Sequence, residues 1–277
     1  MLETKIIICT NKNVSFPKNA YFMPIQAGAA LCNEDFHYAT DYTKENISVK
    51  NRNYCELTCH YWVWKNLKNI GIVGLNHYRR YFDFEKRFLK LAPDRSFIST
   101  DRFLSKTYKF PNLERIFNSY DIILPNTRNY PYNMATQYGV FHIFDDWIVM
   151  KDIIKELSPE YIPAFEKTME HRNYSSNYNM FITKWKYFDE YSEWLFKILF
   201  EVEKRCKIPS NPVQSRIFGY MSERLINVYC EYKHLKIKHV PIIVPIDNFD
   251  TSINPSYLRY NWWKFRNNFV YHANKLL

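Results

Sequence analysis

No Cys-x-x-Cys pair and no His/Cys zinc spacing occurs in the 277-residue chain; its cysteines are Cys9, Cys32, Cys55, Cys59, Cys206 and Cys230. A zinc ribbon and a dithiol redox motif are thereby excluded, and the thiols are expected to be reduced and mostly buried. Long apolar runs are missing too. No stretch approaches the roughly 20 residues a membrane span needs, and Ile6-Ile7-Ile8-Cys9 near the start is too short for a signal peptide. The expectation is a cytoplasmic protein, soluble or peripheral at the inner face of the plasma membrane. Internal repeats and low-complexity segments are absent as well. Acidic residues are in short supply, 28 against 38 Lys and Arg, so the net charge of +10 favours anionic partners such as nucleotides, nucleic acid or an acidic membrane. What is abundant is apolar and aromatic: 47% hydrophobic and 18% aromatic residues exclude a disordered chain.

The most informative stretch is Ile70-Gly71-Ile72-Val73-Gly74-Leu75, which ends abruptly in Asn76-His77-Tyr78-Arg79-Arg80 before Tyr81-Phe82. The apolar run predicts a buried strand. In open α/β sheets, ligands sit beyond the carboxyl ends of the strands. Guanidinium groups placed there offer planar, permanently charged donors for phosphate oxygens, and His77 adds a donor whose charge changes near neutral pH. The alternative is that Arg79 and Arg80 are solvated loop cations.

Lys5-Ile6-Ile7-Ile8-Cys9 predicts the first strand of a parallel sheet, with Thr10-Asn11-Lys12 at its carboxyl end supplying donors for a nucleotide. Residues 13–53 read as a long, partly ordered region over the sheet, in which Gln26-Ala27-Gly28-Ala29-Ala30 contributes to a donor site. A helix is expected from Tyr54 to Leu67, with Leu57, Tyr61, Trp64 and Leu67 on one face and Glu56 in its first turn. Glu56 either caps that helix or contacts ribose or base. Residues 83–118 show no clean period. Tyr120 to Pro125 predicts another strand, and Asp145-Asp146 predicts the cap of a helix through Leu157. Ser176 to Ile182 reads as a polar loop entering a strand, followed by the stripe Phe188, Tyr191, Leu195, Ile198 and Val202. A helix from Gln214 to Tyr229 carries Gly219 and projects Ser222-Glu223-Arg224, and Ile237 to Pro245 predicts a Pro-interrupted edge strand. The tail mixes Tyr257, Leu258, Trp262, Trp263, Phe265 and Phe269 with Arg259, Lys264 and Arg266, a pattern suited to a membrane interface or to docking on the body. The expected organisation is a main domain over residues 1–250 and a basic, aromatic segment over 251–277.

Four blocks carry a resemblance: Cys55-Glu56-Leu57-Thr58 with Tyr61 to Asn66; Gly71-Ile72 with His77-Tyr78-Arg79-Arg80-Tyr81-Phe82; Asn179-Met180-Phe181-Ile182; and Gly219 to Leu225. Over roughly residues 4–246 the chain resembles a bacterial family found in capsule, exopolysaccharide and O-antigen clusters, whose members are glycosyltransferases and include galactofuranosyltransferases. The resemblance implies an α/β, GT-A-like nucleotide-diphospho-sugar transferase fold with a central, mostly parallel sheet. It implies an inverting hexosyltransferase with a UDP-sugar donor and a glycan or polyprenyl-linked acceptor. GT-A enzymes usually end a central strand in Asp-x-Asp, which binds a divalent cation; this chain has Asn76-His77-Tyr78-Arg79-Arg80 there. The basic cluster is expected to take the metal's place, with Asp83 keeping a Mn- or Mg-dependent alternative open. By analogy with inverting members, Glu223 is the expected base, ahead of Asp146 and Asp145. Donor contacts are expected from Thr10, Lys12, Gln26, Glu56, Asn76, His77, Arg79, Arg80, Asn179 and Arg224. Competing readings are a nucleic-acid-binding protein and a non-catalytic membrane-surface protein. Against nucleic acid, the aromatics keep helical core spacing and the cations focus at one strand end.

Overall fold

The computed structural model describes residues 2–86 and 91–275. The chain opens with β1 (Glu3–Thr10), β2 (Phe22–Gln26) and β3 (Ala39–Thr40), then α1 (Asn51–Tyr54), α2 (Leu57–Asn66) and β4 (Ile70–His77). Next come β5 (Tyr81–Phe82), β6 (Arg95–Ser99), α3 (Thr100–Leu104), α4 (Leu113–Ile116), β7 (Ile122–Pro125) and β8 (Arg128–Asn129). The remainder holds α5 (Met134–Phe141), α6 (Phe144–Leu157), α7 (Ile162–Phe165), β9 (Tyr174–Ser175), β10 (Phe181–Lys184), α8 (Trp185–Arg205), α9 (Ile217–Tyr232), β11 (Ile237–Val240), β12 (Ile242–Ile246) and α10 (Tyr257–Ala273).

The expected fold class is what the chain adopts: a seven-stranded sheet in the order β11-β7-β10-β4-β1-β2-β3, parallel throughout except for β10. β1 lies inside it, and Ile6, Ile7 and Ile8 are buried on both faces, as a parallel strand covered on two sides requires. One face packs on α2, α6, α8 and α9 in the largest cluster, where the stripe Phe188, Tyr191, Leu195, Ile198 and Val202 is wholly buried. Inside this layer His60 meets the Ser192 hydroxyl at 2.7 Å, and burial pushes its pKa down to about 3, so the ring is neutral. The other face meets Phe82, Leu113, Phe117 and Ile242, next to a small sheet ordered β5-β12-β6. Among the described residues no helix is long and apolar enough to cross a membrane.

Several local expectations are corrected. Residues 13–53 hold two strands: β2 tolerates Pro24 because β3 pairs only with Ile25 and Gln26, leaving the outer edge of Phe22 to Pro24 free. The helix expected from Tyr54 breaks at Cys55, whose φ of 53° cannot continue a right-handed helix. Residues 83–118 contain β6, α3 and α4, although 87–90 of that stretch lie outside the described residues. The strand expected from Ile237 to Pro245 is two strands in two sheets, divided at Pro241, which has no N–H to continue the ladder.

Strand direction decides where chemistry can gather. β1, β4 and β7 run parallel, so their carboxyl ends reach one edge, and antiparallel β10 brings its amino end to the same place. Thr10, His77, Pro125 and Asn179 therefore converge from four parts of the chain. Gly74 makes the β1–β4–β10 approach possible: a Cβ there would lie 2.8 Å from Ile6 Cδ1, 2.9 Å from Ile182 Cγ1 and 3.1 Å from the Phe181 carbonyl. Gly74→Val is expected to cost about 1–3 kcal/mol by overpacking, read as a lower midpoint in urea unfolding; an unchanged midpoint would contradict the close packing.

Candidate functional site

Tyr178 and Asn179, immediately before β10, both adopt left-handed backbone, with φ of 80° and 49°. That conformation is costly for a bulky aromatic and persists only where surrounding contacts hold it. They are supplied from three directions. The His77 ring donates from Nε2 to the Tyr178 carbonyl at 2.5 Å. The Asn179 amide donates to Glu56 Oε1 at 2.7 Å and to the Gly219 carbonyl of α9 at 2.9 Å. The Tyr178 N–H in turn donates to Glu223. Strand β4, the α1–α2 break and α9 are tied to one turn of chain.

Around this turn lie two carboxylates, a histidine and an arginine. Glu56 sits where α2 begins but caps nothing; its Oε1 faces Asn179 and stands 3.9 Å from His77 Nε2. Burial pulls the His77 pKa down against the attraction of Glu56, with Arg80 adding to the downward pull, so the ring is neutral near pH 7 with its proton on Nε2. Arg80 is half-buried, with its guanidinium 5.1 Å from the centre of the Tyr178 ring and Glu223 and Glu56 close enough to favour its charge. Among the described residues no acceptor occupies its N–H donors, an arrangement open to an anion. Glu223 is mostly buried; burial raises its pKa, Arg224 opposes that rise and Glu56 adds to it.

The arginine pair divides. Arg79 is exposed and lies 5.3 Å from the Tyr78 ring, on the outer side of the turn, while Arg80 faces the carboxylates. Arg224, expected to contact donor, is instead spent inside the protein: it is buried and donates to Glu223 Oε2 at 3.0 Å, to the Tyr220 carbonyl at 2.9 Å and to Gln137 Oε1 at 2.7 Å. Ser222 is buried too, so of the expected Ser222-Glu223-Arg224 projection only Glu223 reaches the cleft. Thr10 hydrogen-bonds within its turn to Lys12, and Lys12 is exposed beside the end of β1. Gln26 is a correction: it is buried, with its amide committed to the Glu34 carbonyl and the Phe36 N–H. Asn76 alternates to the sheet face opposite His77 and is fully buried, with no partner on either amide atom. Asp146 packs against the Cys206 thiol and Tyr138 rather than joining Glu223, and Asp145 beside it is exposed. Asp83 faces Lys86 and Glu85.

Residues not anticipated complete the cleft. Asp94 is buried and meets the Tyr178 hydroxyl at 3.5 Å, with Arg128, Arg95 and Lys264 all facing its charge. Tyr130 takes a hydrogen bond from Asn177 at 3.2 Å beside them. Arg216 donates to Cys55 Sγ at 3.1 Å, holding the α1–α2 break against α9. The available signal was Arg128 itself, a cation three residues past the end of β7. Among the described residues no three His, Cys, Asp or Glu side chains are placed to hold an ion, and the β4 end presents the cationic Arg79 and Arg80.

Fold and cleft together define a mixed α/β protein with acid, base and guanidinium groups at the carboxyl edge of its sheet. Residues 5–234 match the family described as Domain of unknown function (DUF4422), and the chain belongs to that family. No curated protein matches it. Among solved structures it is similar to the apo form of WbbM, a bifunctional glycosyltransferase, at 29% identity and a TM-score of 0.78, over 91% of this chain and 47% of that one. The chain thus spans about half the length of WbbM.

The electrostatics give a direct test. A carboxyl whose proton is held by burial and by a second carboxylate titrates above the ordinary glutamate range. In a carboxyl-labelled NMR titration, Glu223 is expected to ionise above that range, and Glu56→Gln is expected to lower its midpoint because one raising charge is gone. An unmoved midpoint would separate the two groups.

Proposed function

We propose that this chain is a glycosyltransferase that moves a hexosyl unit from a nucleotide-diphospho-sugar to a hydroxyl acceptor with inversion. The observation that carries the reading is the pairing of Arg80 with Glu223 across Tyr178: an uncommitted guanidinium and a carboxylate held in one cleft. Support comes also from the similarity to WbbM and from the order of blocks along the chain.

In this mechanism the acceptor oxygen attacks the anomeric carbon while the bond from that carbon to the diphosphate oxygen breaks. The leaving nucleoside diphosphate keeps the electron pair, and Arg80 stabilises the charge developing on it. The acceptor proton passes to Glu223, whose carboxylate must be ionised for the step. Arg224 is a positioning residue: its hydrogen bond at 3.0 Å aims the Glu223 carboxylate and favours its ionised form. His77, neutral and donating to the Tyr178 carbonyl, holds the turn rather than moving protons. Arg79 and Lys12, both exposed at neighbouring strand ends, complete the positive field for the diphosphate. A UDP donor, galactofuranose as the sugar, and a glycan or polyprenyl-linked acceptor in surface polysaccharide synthesis are the specific form we favour, on the block resemblance alone.

Glu223→Gln is expected to lower turnover by about 10²- to 10⁴-fold while nucleoside diphosphate affinity, measured by calorimetry, stays within about twofold. Near-normal turnover would remove Glu223 from the reaction. We assign charge neutralisation to the arginines rather than to a divalent ion, so transfer is expected to persist in excess EDTA. Loss of activity restored by Mn or Mg would overturn that assignment.

A further inference from the structure

Helix α10 presents two faces of different character. Tyr260, Asn267 and Tyr271 are buried against the body, and the contacts are specific: Asn267 donates to the Asn129 carbonyl at 2.9 Å, while Asn268 Oδ1 accepts from Asn129 at 2.8 Å and from Asn173 at 3.0 Å. Asn261 donates to the Leu91 carbonyl at 2.9 Å. The helix is therefore docked along most of its length by amide hydrogen bonds together with the buried rings of Tyr260 and Tyr271, while a second set of apolar side chains takes no part.

That second set faces out. Leu258 is 86% exposed, Trp262 62%, Phe265 67% and Phe269 66%. At about 100° per residue the four fall within an arc of roughly 60°, an uninterrupted apolar ridge opposite the docked face. Large apolar residues gathered this way on a surface mark a contact. The charges around them have one sign: from Thr251 to Leu277 the sequence holds Arg259, Lys264, Arg266 and Lys275 and no Asp or Glu. Arg259 and Arg266 are exposed along one edge of the ridge, and the Arg266 guanidinium lies 5.8 Å from the Trp262 ring. The other exposed apolar run, Val140 to Ile148, carries exposed Asp145 within it and so lacks this complementarity.

We infer that α10 is an interfacial helix that docks the protein on an anionic lipid bilayer. The ridge enters the boundary between headgroups and acyl chains, and the flanking cations pair with lipid phosphates. The placement has a geometric consequence. On its body side the same helix brings Trp263 to 5.8 Å from Arg128 and sets Lys264 against Asp94, beside Tyr178. The helix that would rest on the membrane thus also contacts residues beside the cleft. This inference stands on the helix alone and does not depend on the proposed reaction.

Co-sedimentation of the full chain with vesicles provides the test. Binding is expected to vesicles of phosphatidylcholine mixed with phosphatidylglycerol, to weaken as salt is raised, and to be much weaker with phosphatidylcholine alone. Trp262→Ser/Phe265→Ser/Phe269→Ser is expected to reduce binding by about tenfold or more with an unchanged circular dichroism spectrum and melting midpoint, since these side chains make little contact with the body. A second variant, Arg259→Glu/Arg266→Glu, is expected to abolish the salt dependence. No binding to anionic vesicles, or wild-type binding by the triple variant, would overturn the inference. So would a dimer in solution that the triple variant converts to monomer without any vesicle binding, which would make the ridge a contact between two copies.

Discussion

Everything at the cleft depends on one strained turn. Tyr178 and Asn179 occupy a left-handed conformation that asparagine tolerates but a bulky aromatic adopts only with compensation, and each contact that compensates it is also a contact that builds the site. The His77 ring reaches it from the end of β4, Glu56 from the start of α2, Gly219 and Glu223 from α9. The ring of Tyr178 then supports Arg80 on one side and its hydroxyl reaches Asp94 on the other. The strain and the convergence of charged groups are thus two views of the same constraint.

The electrostatic consequence is a cleft whose groups regulate one another. Burial and Glu56 raise the cost of ionising Glu223, while Arg224 and Arg80 lower it. His77 stays neutral because burial outweighs the pull of Glu56. The arrangement places one carboxylate in the buried network and one at the cleft, backed by an internal arginine that cannot leave without stranding its hydrogen-bond partners, Gln137 among them. Arg80, with no acceptor on its guanidinium among the described residues, stands near that carboxylate.

Much of the fold was legible because β1, β4, β7 and β10 are short apolar runs with polar stops and α8 carries a clear 3.6-residue stripe. β2 and β3 were not, since one contains Pro24 and the other is two residues long. Ile237 to Pro245 read as one strand because period alone cannot tell which sheet each half joins. At the site, His77, Arg80, Glu56 and Asn179 come together because each lies at or next to an element boundary facing the same sheet edge, and Glu223 reaches them from within α9. Arg224 and Gln26 were misplaced for a common reason: a polar side chain that serves the interior looks the same in sequence as one that serves a ligand. Tyr178, the centre of the arrangement, gave no signal beyond its two flanking asparagines, as backbone handedness is invisible in composition.

The most direct measurement is a crystal structure of the chain with a nucleoside diphosphate and an acceptor analogue. The account predicts diphosphate oxygens within hydrogen-bond distance of the Arg80 guanidinium and the acceptor hydroxyl within reach of Glu223. A nucleotide bound at another edge of the sheet, with Arg80 and Glu223 contacting neither ligand, would contradict it.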